Sequence, residues 1–243
     1  MLTKPFFTTT FENNFSALFD GVDEFINLGA IANFERTDPW SLVCWFKSSG
    51  ALGGIVSKRG ATPTFTGWEL NNAGGQIRFN LTNNNAVANR LQVLTSSGGF
   101  NDGDWHHIVV TYDGSSTPGG IIMYIDGSSE ALDTDFNALT GNIANSTSAN
   151  IGARNSGDNL WDGLLDEVAI YDVELSAAEA GIIYNSGIAR DLSKLSTSTN
   201  LVGWWRFTQV DIDNFPTIAD NSGNAADGTA TNMEVGDIQV DVP

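Results

Sequence analysis

Short apolar runs separated by turn residues recur along almost the whole chain, and this pattern limits the fold more than any other feature. Runs rich in Val, Ile, Phe, Trp and Tyr, such as "WSLVCWF", "HHIVVTY" and "IIMYI", alternate with clusters of Gly, Asn, Ser and Asp. Runs of this kind are typical of β-strands joined by tight turns. They predict an all-β fold, an antiparallel jelly-roll β-sandwich.

One segment, "LSAAEAGIIYNSG" (residues 175–187), has the features of a helix instead. Ser176 and Glu179 have the spacing of a capping box, in which each residue binds the backbone of the other at the start of a helix. Gly187 can adopt the left-handed conformation that commonly ends a helix. The sequence therefore predicts one short helix beside the sandwich.

The length of 243 residues suits a single sandwich domain. The last tryptophan-rich run, "LVGWWRF" (residues 201–207), is expected to complete the same sandwich, because a separate unit of about 40 residues rarely folds without a metal or disulfides. We predict one domain over residues 1–243, with short extensions at about 1–14 and 230–243.

The charge of the chain argues against several classes of partner. Twenty-nine acidic residues against 11 basic ones give a net charge of -18 at pH 7, which repels nucleic-acid phosphates and anionic membranes. The first residues do not show a basic segment followed by an apolar run, and no run of about 18 apolar residues occurs, so neither secretion through a leader nor a membrane span is expected. A single cysteine, Cys44, excludes an intrachain disulfide. We expect no nucleic-acid partner and no membrane insertion.

Both histidines stand side by side in "DGDWHHIVVTYDG" (residues 102–114). Side chains alternate along a strand, so His106 and His107 point to opposite faces and cannot share a metal. His107, together with Trp105, is expected to have a structural role. Asp166 shares a predicted apolar face and needs a donor or a cation. Two alternatives are open: a pair of His107 with Asp166, or a calcium ion at Asp166.

Several of these segments resemble a known family. "SALFDGVDEFINLG", "GDWHHIVVTYDG" and "LLDEVAIYDVELSAAEA" are similar to the laminin G-like jelly rolls of the concanavalin A-like lectin/glucanase superfamily. In that family a segment like "LVGWWRF" normally precedes the "FDG" strand, whereas here it lies near the end of the chain. The resemblance therefore implies a circular permutation, in which "LVGWWRF" lies near "SALFDG" in the sandwich.

The resemblance also implies a structural calcium ion where the "FDG" turn meets the "DEV" strand. Its ligands would be Asp20, the Gly21 carbonyl and Asp166, with Asp23 as a further candidate, and backbone or water would complete the six to eight oxygens that calcium needs. The alternative is that Asp20 and Gly21 only form a turn, while Asp166 pairs with His107.

Catalysis is not expected from this sequence. Glucanases of the superfamily place two carboxylates on the same face of one strand. Here Asp166 and Glu167 are adjacent, so a regular strand would direct them to opposite faces. Glycan binding is a separate hypothesis, for which Trp161, Trp68 and Asn159 are the candidate residues. The alternative for both tryptophans is packing in the core.

The N-terminal segment carries Phe6, Phe7 and Phe11, which we expect to be buried against an assembly partner. The chain resembles laminin G-like proteins of bacteriophages, which implies a virion surface component, either a capsid decoration or a tail or fibre module. Its partners would be other virion proteins and copies of itself, after synthesis in the host cytoplasm. A free-standing lectin that binds host-surface glycans is the alternative function, and a glycoside hydrolase relative is a third.

Overall fold

Two antiparallel sheets lie face to face in the computed structural model, which describes residues 11–155 and 157–243. The strands in this part of the chain are β1 (Ser16–Asp20), β2 (Phe25–Asn27), β3 (Trp40–Lys47), β4 (Leu52–Arg59), β5 (Gly67–Ala73), β6 (Gln76–Asn84), β7 (Asn89–Thr95), β8 (His106–Tyr112), β9 (Ile121–Ile125), β10 (Ser128–Ser129), β11 (Leu132–Asn137), β12 (Asn150–Ile151), β13 (Asp162–Tyr171), β14 (Leu201–Trp205), β15 (Thr217–Ile218), β16 (Gly228–Thr231) and β17 (Ile238–Gln239). The predicted jelly-roll sandwich is confirmed.

Two α-helices accompany these strands, α1 (Ala177–Tyr184) and α2 (Gln209–Asp213). Single turns of 3-10 helix cover Asn85–Val87, Pro118–Gly120, Leu192–Lys194, Ser196–Asn200 and Val235–Asp237. No helix in the described ranges is long and apolar enough to cross a lipid bilayer.

The eight-stranded sheet has the order β10-β9-β8-β3-β13-β1-β17, and β14 also pairs with β13. The nine-stranded sheet has the order β11-β7-β6-β5-β4-β12-β2-β16-β15. Apolar side chains from the facing sides of both sheets form one core, in which the Trp40 ring lies 5.0 Å from the Trp68 ring and 4.8 Å from the Phe34 ring. Cys44 is buried in this core.

The C-terminal quarter of the chain joins both sheets. Trp205 of β14 pairs with Val168 of β13, and Ala17 of β1 pairs with Leu165 of the same strand, so β14 and β1 follow each other along one edge of β13. The predicted position of "LVGWWRF" near "SALFDG" is confirmed, while the circular permutation stays a prediction. The predicted extension at 230–243 is wrong in part, because β16 pairs with β2 and β17 pairs with β1.

The helix α1 has the predicted capping box, since the Ser176 side chain accepts from the Glu179 amide and Glu179 binds the Ser176 amide. The left-handed residue that ends α1 is Asn185 (φ 50°), not Gly187. The prediction of a single helix is wrong, because Thr208 and Asp211 form a second capping box that starts α2.

The outer face of the eight-stranded sheet is covered as well. Ala180 and Ile183 of α1 form a second apolar cluster with Val43 and Val109 of that sheet. The eight-stranded sheet is therefore buried on both faces, and the outer face of the nine-stranded sheet becomes the larger candidate for binding.

Candidate functional site

A row of polar side chains crosses the outer face of the nine-stranded sheet. Directly paired residues of antiparallel strands lie on the same face, so the strand register identifies the members of this row. We call the following residues the polar row: Asn27 of β2, Asn150 of β12, Ser57 of β4, Glu69 of β5, Asn80 of β6 and Gln92 of β7.

The polar row is the outward half of a period-two alternation. Val56 and Leu70 point into the core, whereas their neighbours Ser57 and Glu69 point away from it. An outward face is normally solvated, yet Ser57 and Glu69 have no exposed surface. Arg154 and Asn159, which lie over this part of the sheet, contact Glu69 and contribute to its burial.

Glu69 is the centre of a buried ionic network. One of its carboxylate oxygens lies 2.6 Å from a terminal nitrogen of Arg59. The other accepts from the Arg154 Nε and from the Asn159 Nδ2, both at 3.0 Å. Burial lowers the pKa of the Arg59 guanidinium, and the charge of Glu69 opposes that shift. A buried carboxylate needs such donors, so Glu69 holds Arg154 and Asn159 against the sheet.

Two aromatic rings lie among arginines on this face. The Phe65 ring is 5.0 Å from the guanidinium of Arg59 and 5.5 Å from that of Arg154. The Arg90 guanidinium lies 3.4 Å from the centre of the Phe136 ring. Cation–π contacts of this kind hold each guanidinium flat against a ring.

A cleft of about 420 Å³ opens beside one end of the polar row. Its polar lining comes from Thr147, Ser148, Asn150, Asn155 and Asp158. Asn150 is 1% exposed, and its Oδ1 has no hydrogen-bond partner among residues 11–155 and 157–243. Hydroxyl, amide and carboxylate groups together can both donate to and accept from a ligand.

The glycan-binding residues predicted from the sequence do not form a binding platform. Trp68 and Trp161 are each 1% exposed, and the Trp68 Nε1 donates to the Ala32 carbonyl at 3.1 Å. The Nδ2 of Asn159 is bound to Glu69. Both tryptophans pack in the core, which was the alternative, because they lie on the inward side of their segments.

The sequence carries a signal for the polar row. In "WELNN" and "IRFNL" the polar residues Glu69, Asn71 and Asn80 alternate with core residues, and this alternation marks an outward polar face. The cleft had no such signal. Its lining comes from loops that only the tertiary structure brings together.

The four predicted calcium ligands do not meet at one point. Asp20 pairs with Asp162, and Asp166 lies four residues further along β13, a separation of roughly 13 Å at strand spacing. One Asp166 oxygen accepts from the Asn13 Nδ2 at 2.7 Å and the other from the Glu167 amide at 2.7 Å. No group of three or more His, Cys, Asp or Glu in the described ranges is placed to hold a metal. The ligand set that includes Asp166 is therefore wrong.

The predicted pair of His107 with Asp166 does not form either. Both residues are register partners of Trp45, which lies on the strand between them. The His107 ring is 4.8 Å from the Trp45 ring and 5.6 Å from the Tyr184 ring, and its nitrogens have no hydrogen-bond partner within the described part of the chain. Burial lowers the pKa of His107 to about 3, so the ring is neutral.

Trp105 binds the C-terminal segment, and His106 binds two carboxylates. The Trp105 Nε1 donates to Asp241 at 2.8 Å, and this contact holds the C-terminal segment. His106 lies 2.7 Å from Asp126 through Nδ1 and 3.3 Å from Asp102 through Nε2. The two histidines lie on opposite faces of β8, as predicted.

Asp166 and Glu167 lie on the same side of β13, contrary to the expectation for adjacent strand residues. A shift in register between Asp166 and Ala169 and a left-handed Glu167 (φ 51°) form a bulge, which reverses the alternation. The Trp204 Nε1 donates to Glu167 at 2.6 Å, and the Arg206 Nε lies 3.6 Å from it. Burial raises the pKa of Glu167 to about 8 and that of Asp166 well above its usual value.

The N-terminal segment covers these two carboxyl groups. The Phe11 ring stacks on the Trp204 ring at 6.4 Å, and the Arg206 guanidinium lies 4.1 Å from the Phe11 ring. Phe11 was predicted as an assembly contact, but it packs within its own chain, because Trp204 and Arg206 provide the surface that it needs. Phe6 and Phe7 lie outside the described residues.

Comparison with known proteins places this fold in a family. A family model for laminin G domains, described as the concanavalin A-like lectin/glucanases superfamily, matches residues 20–181. No curated protein matches the chain.

Solved structures with a similar fold include the following three. A candidate carbohydrate-binding protein from Bacteroides ovatus ATCC 8483 has a TM-score of 0.60 at 14% identity, over 91% of this chain and 59% of that one. A heptameric SAP-like pentraxin from Limulus polyphemus has a TM-score of 0.52 at 14% identity, over 72% and 84%. Domains LG4-5 of the mouse laminin alpha1 chain have a TM-score of 0.47 at 12% identity, over 65% and 41%.

These identities support a shared fold and nothing beyond it, and the chain spans only 59% of the Bacteroides ovatus protein. The family assignment rests on the sequence match, which covers residues 20–181 of 243 and leaves β14 to β17 beyond it. Since that match extends over more than half of the chain, the protein belongs to the concanavalin A-like lectin/glucanases superfamily.

Proposed function

We propose that this protein binds glycans, without catalysis, in the cleft at Asn150. The observation that carries the proposal is that Asn150 lines the cleft while its buried Oδ1 has no hydrogen-bond partner within the described ranges. A buried acceptor without a partner costs about 1–3 kcal/mol. A ligand hydroxyl in the cleft would supply the missing donor.

The size and chemistry of the cleft support a sugar as the ligand. Small-molecule sites commonly have volumes of about 300–1,000 Å³, and this cleft has about 420 Å³. Sugar hydroxyls donate and accept, as do the hydroxyl and amide groups of Thr147, Ser148 and Asn155 in its lining. The similar Bacteroides ovatus protein is itself a candidate carbohydrate-binding protein.

Two substitutions in the cleft test this function on a glycan array. Asn150→Ala removes the unpartnered acceptor, and Asp158→Asn removes a charge at the exposed rim. We expect each variant to bind its glycan at least about tenfold more weakly than the wild type, the equivalent of one or two lost hydrogen bonds. Because Asn150 makes only one long contact, with the Ser148 carbonyl at 3.4 Å, we expect the melting temperature to change little.

Gln209→Ala on α2 is the matched control, because Gln209 is an exposed amide that binds only Asp213. It should retain full affinity. If the wild type retains no glycan on a broad array, or if the two cleft variants bind as tightly as the control, the proposed function is wrong.

As a second function, we propose a role on the surface of a virion, as a capsid decoration or a tail or fibre module. The family resemblance of the sequence and the net charge of -18 support this proposal, since strongly acidic surfaces keep neighbouring copies soluble. Mass spectrometry of purified particles tests it. Many copies per particle are expected, and their absence from particles would contradict the proposal.

A calcium ion at the turn of Asp20, Gly21 and Asp23 stays a separate proposal, now without Asp166. Gly21 has a left-handed φ of 73° and Asp20 accepts from the Val22 amide, so the turn is also held by its own hydrogen bonds. An ion that binds only the folded state at 100 times its Kd would add about 2.7 kcal/mol of stability. This proposal predicts that a chelator lowers the melting temperature, and an unchanged value would contradict it.

A further inference from the structure

The few positive charges of this acidic protein are concentrated on its candidate binding face. Four of the seven arginines, Arg59, Arg78, Arg90 and Arg154, lie on the outer side of the nine-stranded sheet. From this concentration we propose that the bound glycan is anionic, and that Arg78 and Arg90 contact its carboxylate or sulfate groups. The proposal rests on the glycan-binding function given above.

Arg59 and Arg154 share a single carboxylate. Both bind Glu69, so two guanidinium charges face one buried carboxylate charge. The centre of the face therefore has a surplus of positive charge, although the whole chain has a net charge of -18. At physiological ionic strength charges are screened beyond about 8 Å, so this local surplus decides what the face can bind.

Arg78 and Arg90 have no carboxylate within 4 Å among the described residues. The Nε of each is buried and has no hydrogen-bond partner within the same residues. Arg90 stacks on Phe136 and binds Asn85, whereas Arg78 makes no side-chain hydrogen bond in the described part of the chain. Two half-buried guanidinium groups without a carboxylate partner match the oxygen atoms of a carboxylate or sulfate.

The carboxylates of this face lie at its margins. Asp135 accepts from the Gln92 Nε2 at 2.5 Å, and Asp133 is exposed on the same edge strand, β11. Asp158 is at the opposite end, at the rim of the cleft, where it accepts from Asn155. Asp158 therefore lies away from the space between Arg78 and Arg90, whereas Asp135 is close enough to Arg90 to act on the pKa of its guanidinium and would be a neighbour of an anionic group bound there.

The distance from the cleft to these arginines calls for an oligosaccharide. Asn150 of β12 and Gln92 of β7 are four strand spacings apart, which corresponds to roughly 19 Å. A single sugar in the cleft could not reach Arg78 or Arg90. A chain of several sugars could place a neutral unit at Asn150 and an acidic unit at the arginines.

Matched pairs of glycans test the charge of the ligand directly. We suggest binding titrations with oligogalacturonates and their methyl esters, with sulfated and desulfated heparin oligosaccharides, and with sialylated and desialylated glycans. The wild-type protein should bind the acidic member of at least one pair at least about tenfold more tightly than the neutral member. This comparison needs no variant and so does not depend on the folding of one.

The variants Arg78→Gln and Arg90→Gln test whether these two arginines contact the acidic group of the glycan. Each should remove most of the preference for the acidic member and leave the affinity for the neutral member unchanged. Arg190→Gln is the matched control, because Arg190 is far from this face and binds the Ile182 carbonyl. It should keep the full preference.

The outcomes separate this inference from the proposed function. Equal binding of acidic and neutral members would overturn the anionic ligand and leave glycan binding in place. The same conclusion follows if the arginine variants lose affinity for both members alike. If no glycan of any charge binds, both the function and this inference are wrong.

Discussion

Replacing Glu69 by glutamine is expected to lower the free energy of unfolding by about 3 kcal/mol, because the loss of one partner of a buried ion pair leaves the other charges uncompensated. Arg59 is nearly buried and Arg154 largely so, with 7% and 22% of their side chains exposed. A glutamine in this position can accept from one of them but carries no charge. Urea denaturation, with the midpoint and slope fitted together, measures the change.

The same variant should weaken glycan binding. Glu69 holds Arg154 and Asn159, and between these two in sequence lie Asn155, Gly157 and Asp158, which form one wall of the cleft. Without that anchor the wall is less well positioned, and preorganised sites bind more tightly. We therefore expect lower affinity even at temperatures where the variant is fully folded.

Glu174→Gln is the control for this experiment, since Glu174 is exposed. It removes the same charge and should change the stability by less than about 0.5 kcal/mol. If Glu69→Gln is as stable as this control, the ionic network does not stabilise the fold as we describe.

The second large effect is a loss of stability as the pH rises from 6.5 to 8. Burial raises the pKa of Glu167 from its ordinary value of 4.5 to about 8, so the folded protein keeps a proton that the unfolded chain has already lost. Raising the pH then favours the unfolded state by about 1.4 kcal/mol per pH unit from this group alone. Over the window the expected loss is about 2 kcal/mol.

The window starts at pH 6.5 because His107 acts in the opposite direction below it. Its pKa falls from the ordinary 6.5 to about 3 on burial, so acidification below pH 6.5 protonates the unfolded chain first and also destabilises the fold. Above pH 6.5 this contribution is constant. The decline from pH 6.5 to 8 therefore combines Glu167 and Asp166, whose pKa values are raised by burial, with Glu24, whose pKa burial raises to about 7, and His106, whose pKa is raised by its hydrogen bond to Asp126.

Glu167→Gln identifies the group responsible. Glutamine can still accept from the Trp204 Nε1 but has no proton to lose. The slope of the unfolding free energy against pH should therefore be smaller in this variant by the contribution of about one proton. Glu174→Gln should keep the wild-type slope. A wild-type protein with constant stability from pH 6.5 to 8 would contradict the assignment of a raised pKa to Glu167.

Several features of the fold followed from local sequence. Alternating apolar runs predicted the sandwich, the Ser176 and Glu179 pair predicted the start of α1, and "LVGWWRF" was correctly expected to join the sheet. Each of these depends on contacts within a few residues or on the need of an apolar strand to be buried. The second helix was missed because it is only five residues long, although it starts with a capping box at Thr208 and Asp211.

The errors at candidate sites came from relations between strands. Asp166 was assigned to calcium or to His107, but the register places Trp45 between the two residues and Asp20 opposite Asp162. The alternation of side chains along a strand predicted that Asp166 and Glu167 lie on opposite faces, but the bulge at Glu167 reverses that alternation. Neither the register nor a bulge is encoded by the period of a single strand.

The sequence by itself determined that this chain folds as an antiparallel sandwich, because the period of its side chains decides which strands can bury an apolar face. Only the tertiary structure decided where ligands could bind. The cleft at Asn150 and the arginines around Glu69 come from strands and loops that are distant in sequence. Their meeting depends on strand order and register, which are set by the packing of the whole sandwich rather than by any local segment.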